Sequence, residues 1–353
     1  MKIGGRRTQP LNHAAWMDRQ AHPAGRWRKM ADKKILLEAR DLVKEFALEG
    51  GKKGKNVVHA VSGVNLKIYE GETLALVGES GCGKSTLGRT LIKLIEATSG
   101  TVEFDGTDIT RMKDREFTEI RRQMQIIFQD PYASLNPRMN VREIISEPLT
   151  THGLARTKDE IDSQVKELMD EVGIPREFIN RYPHQFSGGQ RQRIGIARAI
   201  ALHPRLIICD EPVSALDVSI QSQVLNLLKD LQEQYQLTYL FISHDLSVVK
   251  FISDRVCVMF LGMVCEIGDT HELYDHPLHP YTHFLLNAIP KADPRLRSDE
   301  KELLTGEIPS PVNPPSGCRF HTRCPYAKDI CSQTVPEGKT IGERQVFCHF
   351  PLT

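Results

Sequence analysis

The sequence lacks an apolar run long enough to cross a membrane. Its longest candidates, residues 237–243 and 256–264, have the length of strands, whereas a spanning helix needs about 18 apolar residues. The sequence also lacks an excess of one charge, since 46 Lys and Arg stand against 45 Asp and Glu. We therefore expect no transmembrane segment, and bulk electrostatics gives no reason to expect a nucleic-acid partner.

The first thirty residues lack apolar periodicity, and Asp18 is the one acidic residue among their basic side chains. No apolar segment follows the positive charges, which argues against a secretory signal and leaves an organelle transit peptide as the alternative. A strand pattern begins at Ile35, shortly after Met30, a candidate natural start. We predict a disordered extension over residues 1–33, and the length of 353 residues indicates two or three compact units after it.

A glycine-rich segment is the strongest motif. Residues 78–86 read GESGCGKST and match the phosphate-binding loop G-x-x-x-x-G-K-[ST], with an apolar run before it and helical spacing after it. Backbone N–H groups and the helix N-terminus then favour a triphosphate, with Lys84 at its β and γ phosphates and Ser85 at Mg²⁺. The alternative is a glycine-rich turn with a chance lysine. The predicted ATP-binding residues here are Gly78, Glu79, Ser80, Gly81, Cys82, Gly83, Lys84, Ser85 and Thr86.

Two carboxylates follow the apolar strand pattern at residues 206–209. In a phosphate-loop enzyme such a strand delivers a magnesium ligand, which predicts that role for Asp210. Glu211 is then placed to act as the general base for the attacking water. The alternative is a strand that merely ends in solvated acids.

An antiparallel sheet is predicted over residues 34–68, interrupted by the glycine- and lysine-rich insertion at 50–55. This sheet would flank the nucleotide. Phe46 is its best-placed aromatic residue for stacking on adenine, and a buried Phe in strand packing is an equal alternative.

The segment Ser187, Gly188, Gly189 and Gln190 opens a helical stretch shortly before the acidic strand. Together with the phosphate loop it resembles the signature of ATP-binding-cassette (ABC) ATPases, although Phe186 replaces the usual leucine. The resemblance implies that this segment binds the nucleotide of a partner subunit, so that two cassettes face each other. It also implies roles for Gln129 at Mg²⁺ and water, for Asp217 at the dimer interface, and for His244 as the switch histidine.

Further segments resemble one of the two ATPase subunits of bacterial dipeptide and oligopeptide importers, the second or F-type. They are 128–131 with 134–139, 209–220, 279–282, and 309–311 with 314–318. This resemblance implies an α/β fold with a RecA-like core, an antiparallel β subdomain and a helical subdomain at about 130–195. It places the ABC domain at 34–288 and a Cys-rich extension at 289–353.

The importer resemblance also implies the partners. They are a sister ATPase, two membrane permeases, one of which would meet residues 129–138, and an extracytoplasmic peptide-binding protein. The chain would then sit peripherally at the cytoplasmic face of the membrane. The rival hypothesis is a soluble ABC ATPase acting on nucleic acid or ribosomes, but that class usually has two cassettes or a long coiled coil, and this chain has neither pattern. Haem or a nickel chelate remains open as the cargo.

Eight cysteines divide into two sets. Cys82, Cys209, Cys257 and Cys265 are scattered through the nucleotide-binding part, which fits a reducing cytosol. Cys318, Cys324, Cys331 and Cys348 follow each other with the spacing C-x5-C-x6-C-x16-C. This spacing lacks the paired C-x2-C of structural zinc sites and differs from bacterial ferredoxins.

Four thiolates in one segment can hold either zinc or an iron-sulfur cluster, and the spacing does not choose between them. The family resemblance implies a 4Fe-4S cluster. Unligated thiols or disulfides are the remaining alternative, and His321 or His349 can replace one ligand. Because Lys84 and Glu211 lie in the other unit, we expect loss of the cluster to leave ATP binding intact.

Overall fold

The computed structural model describes residues 34–48, 57–289 and 306–353. The predicted extension at 1–33, the insertion at 50–55 and residues 290–305 of the Cys-rich extension lie outside the described residues.

The described residues form twelve strands and eleven α-helices. The strands are β1 (Ile35–Ala47), β2 (Val57–Tyr69), β3 (Thr73–Val77), β4 (Ser99–Phe104), β5 (Thr107–Asp108), β6 (Met124–Ile127), β7 (Leu206–Asp210), β8 (Thr238–Ile242), β9 (Arg255–Phe260), β10 (Met263–Asp269), β11 (Lys339–Ile341) and β12 (Arg344–Val346). The helices are α1 (Lys84–Leu91), α2 (Asp114–Gln123), α3 (Pro131–Ser134), α4 (Val141–Thr151), α5 (Lys158–Glu171), α6 (Gly188–Ile200), α7 (Val218–Tyr235), α8 (Leu246–Ile252), α9 (Thr270–Asp275), α10 (Pro280–Asn287) and α11 (Asp329–Gln333).

The larger sheet has eight strands in the order β11-β12-β10-β9-β3-β8-β7-β6. Its centre is parallel, from β9 through β3, β8 and β7 to β6. Every residue of β3, β7 and β8 is buried, as expected for short apolar strands that are covered on both faces. The parallel arrangement brings the carboxyl ends of β3, β6, β7 and β8 to one edge of the sheet.

The C-terminal strands extend this sheet. β12 pairs antiparallel with β10, and β11 pairs with β12. The weak periodicity of the Cys-rich extension gave little sign of these strands, because each is only three residues long. Their backbone pairing nevertheless joins the extension directly to the sheet that carries the phosphate loop.

The smaller sheet is antiparallel, with the order β2-β1-β4-β5. Its long strands β1 and β2 correspond to the sheet predicted from residues 34–68, and Phe46 pairs with Val58 in their register. The sheet packs its buried side chains, Leu36 and Leu42 among them, against α1 and one face of the larger sheet.

Helices α3 to α6 lie between β6 and β7, where the helical subdomain is predicted. α4 and α5 each begin with a capping box, Asn140 with Glu143 and Thr157 with Glu160, which satisfies backbone donors at the helix start. Their buried apolar faces join α6 and α7 in one core. Among the described helices, none combines the length and the apolar character needed to cross a bilayer.

Candidate nucleotide site

The phosphate loop leaves β3 and enters α1 through backbone conformations that favour glycine. Gly83 precedes α1 with φ 102°, and a Cβ placed there would lie 2.0 Å from the carbonyl oxygen of Ala60. Gly78 has φ 150°, and its Cβ would lie 2.1 Å from the carbonyl oxygen of Met259. Both glycines are therefore required by neighbouring backbone as well as by their own dihedral angles. Ser80 and Gly81 form the exposed tip of the loop.

Lys84 is buried at the first position of α1, and its side chain folds back over the loop. Its Nζ donates to the carbonyl oxygens of Gly78 at 2.8 Å and Glu79 at 3.0 Å. The ammonium group thus lies inside the turn formed by the predicted phosphate-binding backbone. Thr86 lies further along α1, where its carbonyl oxygen accepts a hydrogen bond from the Thr90 hydroxyl.

Asp210 ends β7 and is fully buried. Its Oδ1 accepts a hydrogen bond from the Ser85 hydroxyl at 2.6 Å, and its Oδ2 lies 3.0 Å from a guanidinium nitrogen of Arg89. The structure therefore brings together the two predicted magnesium ligands that come from the loop and the acidic strand. The sequence analysis missed Arg89, although its position four residues after Ser85 on one helix face would have pointed to it.

Glu211 lies at the centre of a second cluster. Its Oε2 accepts a hydrogen bond from Nε2 of Gln129 at 2.9 Å and lies 3.2 Å from Nδ1 of His244. Glu211 adopts a left-handed backbone conformation, φ 49°, and its N–H donates to the carbonyl oxygen of Ile242 in β8. These contacts aim three predicted catalytic side chains at one place beyond the ends of β6, β7 and β8.

Ser187 caps α6 on an exposed part of the surface. Its hydroxyl accepts from the Gln190 N–H, and the Gln190 side chain accepts from the Ser187 N–H in return. Gly189 packs against α7, because a Cβ there would lie 2.4 Å from Cγ2 of Ile220. Asp217 immediately precedes α7.

Gly188 and Gly189 therefore lie beside Leu216 and Ile220, which flank Asp217 and the start of α7. Within the described stretches, no hydrogen bond or ion pair links the segment 187–190 or Asp217 to the phosphate loop or to the Glu211 cluster. The predicted signature segment is therefore separate from the phosphate loop of the same chain.

Phe46 is 38% exposed near the end of β1, so the alternative of a buried Phe is wrong. The Lys44 ammonium group lies 4.8 Å from the centroid of the Phe46 ring. Phe46 pairs with Val58 on β2, the strand that also carries Ala60, the residue beside Gly83. An exposed ring on this side of the loop is available for stacking.

The segment 129–138 is tied to the signature helix. The Arg191 guanidinium lies 3.5 Å from the ring centroid of Tyr132, and Arg198 donates to the carbonyl oxygen of Ser134 at 2.8 Å. Tyr132 is nevertheless 65% exposed. A surface segment that follows Gln129 is therefore linked to α6 at two points.

Two further residues reach the loop from the C-terminal half of the chain. The Tyr281 hydroxyl oxygen accepts a hydrogen bond from the Glu79 N–H at 3.0 Å, and Arg323 pairs with the Glu79 carboxylate at 2.8 Å. The sequence analysis missed both residues and treated the Cys-rich extension as a separate unit. Arg323 lies between Cys318 and Cys324, so the Cys-rich extension contacts the phosphate loop directly.

The four C-terminal cysteines line one cavity, together with His279, His321 and His349. None of these cysteines is in a disulfide, and burial raises the pKa of Cys318 and of Cys324 to about 11 each. Across the described stretches, no group of three or more His, Cys, Asp or Glu side chains is arranged to hold a metal ion. The four free thiols around one cavity supply the donor set of a four-thiolate group, and they would have to move closer together to bind it.

The other four cysteines are buried. Burial raises the pKa of Cys257 to about 12 and also raises the pKa of Cys82, Cys209 and Cys265. Such thiols are protonated at neutral pH and behave as small apolar side chains. Cys82 lines the loop from inside, with its Sγ 3.8 Å from Nζ of Lys84.

Two family models match the chain. Residues 61–214 match the model described as ABC transporter, and residues 265–331 match the C-terminal region of oligopeptide and dipeptide transporters. The second match includes Cys318, Cys324 and Cys331.

Several characterised or named proteins are similar over most of their length. The oligopeptide transport ATP-binding protein AppF of Bacillus subtilis is 54% identical over 90% of this chain and 98% of its own. The oligopeptide transport ATP-binding protein OppF of Salmonella typhimurium is 55% identical over 86% of this chain and 92% of its own.

Solved structures agree on the fold. The cassette MJ0796, in a dimeric post-hydrolysis state bound to ADP and Pi, matches with a TM-score of 0.60 and 31% identity, over 67% of this chain and 99% of its own. The structure of cbiO1 from Clostridium perfringens, part of the ABC transporter complex cbiONQ, matches with a TM-score of 0.59 and 28% identity, over 69% of this chain and 92% of its own.

Proposed function

Since the chain belongs to the ABC transporter ATPases, as an ATP-binding subunit of an oligopeptide or dipeptide importer, we propose how its residues divide the work of ATP hydrolysis and which partners complete its sites. The observation that carries the proposal is the meeting of Ser85 with Asp210, at 2.6 Å, beside the loop that encloses Lys84. Binding and hydrolysis of ATP drive import in this family, and each step needs particular side chains.

The loop residues 78–86 bind the triphosphate of ATP. Their N–H groups and the N-terminus of α1 attract the phosphates, and Lys84 contributes a positive charge at the β and γ positions. Ser85, Asp210 and Gln129 would hold Mg²⁺, which neutralises charge on the β and γ oxygens when it is bound. Phe46 stacks on the adenine from the antiparallel sheet.

Glu211 acts as the general base. Its carboxylate takes a proton from the attacking water, and its contacts with Gln129 and His244 fix the oxygen that does so. With both ring nitrogens protonated, His244 also donates a hydrogen bond toward the γ phosphate, where negative charge develops during the reaction. Removal of any of the three impairs hydrolysis more than binding.

The signature segment 187–190 and Asp217 serve the ATP of a partner cassette. Their separation from the chain's own loop supports this assignment, because the helix N-terminus at Ser187 is exposed and free to meet phosphate from outside. The partner is a sister ATPase subunit, so that two composite sites form in a heterodimer.

Residues 129–138 are the contact surface for one of the two membrane permeases. Exposed Tyr132 lies on this segment, and its bond to Arg191 in α6 would carry movement between the permease and the signature helix. The complete transporter adds an extracytoplasmic peptide-binding protein, and the chain sits peripherally at the cytoplasmic face of the membrane.

The cysteines 318, 324, 331 and 348 would hold a 4Fe-4S cluster, with zinc as the alternative. Four free thiols around one cavity are the donor set for either. Because ATP hydrolysis needs no electron, the group would be structural or sensory. Binding must displace the thiol protons, so it depends on pH.

Reconstitution tests the proposed function as a whole. The chain is combined with its sister subunit and permeases in liposomes, and peptide uptake is measured with and without ATP. Uptake that requires ATP and stops with Glu211→Gln in this chain is the expected result. Stimulation of ATP hydrolysis by RNA or ribosomes, without permeases, would favour the rival class instead.

A further inference from the structure

Glu79 of the phosphate loop is held from the C-terminal half of the chain at two points. Its backbone N–H donates to the Tyr281 hydroxyl at 3.0 Å. Its two carboxylate oxygens lie 2.8 and 3.1 Å from one guanidinium nitrogen of Arg323. The carbonyl oxygen of the same residue accepts from Lys84. One loop residue therefore connects the C-terminal segment to the lysine that meets the phosphates.

Both C-terminal partners are themselves fixed by packing. Tyr281 is fully buried, and its ring lies 4.8 Å from that of Phe260 and 5.2 Å from that of Phe320. The Arg323 side chain is only 7% exposed, against 22% for the Glu79 side chain. A charge pair this shielded is weakened less by salt than an exposed one. The packing leaves little freedom for either group.

We propose that Arg323 and Tyr281 are positioning residues for the ATP site: Tyr281 fixes the loop backbone at Glu79, and Arg323 neutralises the Glu79 carboxylate. Without Arg323, an unpaired carboxylate would remain in the loop that binds a triphosphate, and like charges repel. Without the Tyr281 hydroxyl, the Glu79 N–H would lose its acceptor. The C-terminal segment is therefore part of the nucleotide site.

This arrangement connects the cysteine-lined cavity with the loop. Arg323 directly precedes Cys324, while Phe320 and His279 line the cavity and pack against each other at 5.9 Å. Tyr281 follows His279 by two residues, and its N–H donates to the His279 ring. A change in the cavity would therefore reach both groups that hold Glu79.

The test is a double-mutant cycle in the full chain, with ADP and a non-hydrolysable ATP analogue titrated by calorimetry. Arg323→Ala should weaken binding by about three- to tenfold, because it exposes the phosphates to the Glu79 carboxylate. Glu79→Gln keeps the loop backbone and removes only the side-chain charge, so Arg323→Ala should have no more than about a twofold further effect on binding when it is added to Glu79→Gln. Tyr281→Phe should weaken binding by about twofold or more through the lost backbone contact.

A purely structural role makes the opposite prediction. If Arg323 only anchors the segment, then Arg323→Ala and Glu79→Gln lower the melting temperature equally and leave both dissociation constants unchanged. That outcome would overturn the inference. Should Arg323→Ala fail to fold, Arg323→Lys keeps the charge and should retain most of the affinity, whereas Arg323→Gln should not.

Arg142→Ala is the matched control, since Arg142 of α4 pairs with Asp162 of α5 at 3.0 Å, in the helical subdomain and away from the loop. It should lower stability without changing nucleotide affinity. The inference rests on the assignment of residues 78–86 to ATP, so Lys84→Ala is measured in parallel. Unchanged nucleotide binding by Lys84→Ala would refute that assignment. Weak binding by Lys84→Ala together with normal binding by Arg323→Ala would refute the inference alone.

Discussion

Gln129 donates its side-chain amide to Oε2 of Glu211 at 2.9 Å, the same oxygen that lies 3.2 Å from Nδ1 of His244. The three residues come from the ends of three neighbouring parallel strands, so their meeting depends on the sheet order rather than on sequence proximity. Residues that act on one atom as a unit give non-additive effects when they are changed. Each single change should therefore remove most of the activity that all three provide.

Glu211→Gln should abolish steady-state hydrolysis, with a fall of about 100-fold or more, because the water loses its base. The isosteric amide keeps the side-chain volume, so ATP binding should persist and the closed dimer should accumulate. Hydrolysis is measured by phosphate release, and the dimer by size-exclusion chromatography with ATP. Wild-type turnover in this variant would contradict the role of Glu211.

His244→Ala should reduce the maximal rate more than it reduces ATP affinity, because His244 contacts Glu211 rather than the phosphate loop. A comparison of kcat with the dissociation constant of a non-hydrolysable analogue separates the two effects. His203→Ala is a control histidine outside the cluster. Equal losses of affinity and rate would argue for a structural role.

Lys84→Ala should weaken ATP binding itself by about tenfold or more, since a buried positive charge is removed from the phosphate loop. Lys93→Ala, on the same stretch of chain but bonded to the carbonyl oxygens of Ile109 and Met112, is the control for charge. Fluorescence titration with a labelled nucleotide measures both. Unaltered affinity in Lys84→Ala would refute the assignment of the loop.

The chain alone should hydrolyse ATP slowly at low concentration, because each complete site needs Ser187 from one cassette and Lys84 from the other. Addition of the sister subunit and permeases should raise the rate steeply. Ser187→Arg should prevent this rise while leaving binding to the isolated chain unchanged. Full activity in a dilute monomer would rule out the composite site.

Anaerobically purified protein should be brown, absorb at about 400 nm and contain about four irons per chain if the four C-terminal cysteines hold one cluster. Cys324→Ser should remove the colour. It should also weaken nucleotide binding, because the neighbouring Arg323 holds Glu79. This second expectation reverses the one from sequence, which treated the two units as independent.

Cys257→Ser is the control for that experiment, since Cys257 is buried in β9 and does not line the cavity. It should leave iron content and colour unchanged. Stoichiometric zinc without iron, after anaerobic purification from iron-replete cells, would replace the cluster by a zinc site. Loss of colour with unchanged nucleotide affinity would separate the cluster from the loop.

The sequence could predict the parts of the site that local patterns encode. The phosphate loop, the acidic strand end and the signature helix each lie within about ten residues, so that spacing and flanking periodicity identify them. The antiparallel pairing of β1 with β2 followed in the same way. Family resemblance added Gln129 and His244, which no local pattern would distinguish from surface residues.

Tyr281 and Arg323 could not be found in this way. They lie 202 and 244 residues from Glu79 along the chain, and nothing near either residue indicates a partner. Contacts at such a distance arise from the packing of Phe260 and Phe320, which bring α10 and the Cys-rich extension onto the loop. The exposure of a side chain could not be predicted from the sequence either, since a buried and a stacking Phe46 were equal alternatives.

The pairing of β12 with β10 also bears on aggregation. An unpaired strand at the edge of a sheet offers its N–H and C=O groups to other chains, and β10 would be such an edge without the last two strands. β12 covers this edge, and β11 becomes the outermost strand, with three exposed residues that begin with Lys339, a side chain suited to discourage further pairing. Truncation before Lys339 would therefore leave β10 as an unpaired edge strand, and we expect the shortened chain to aggregate.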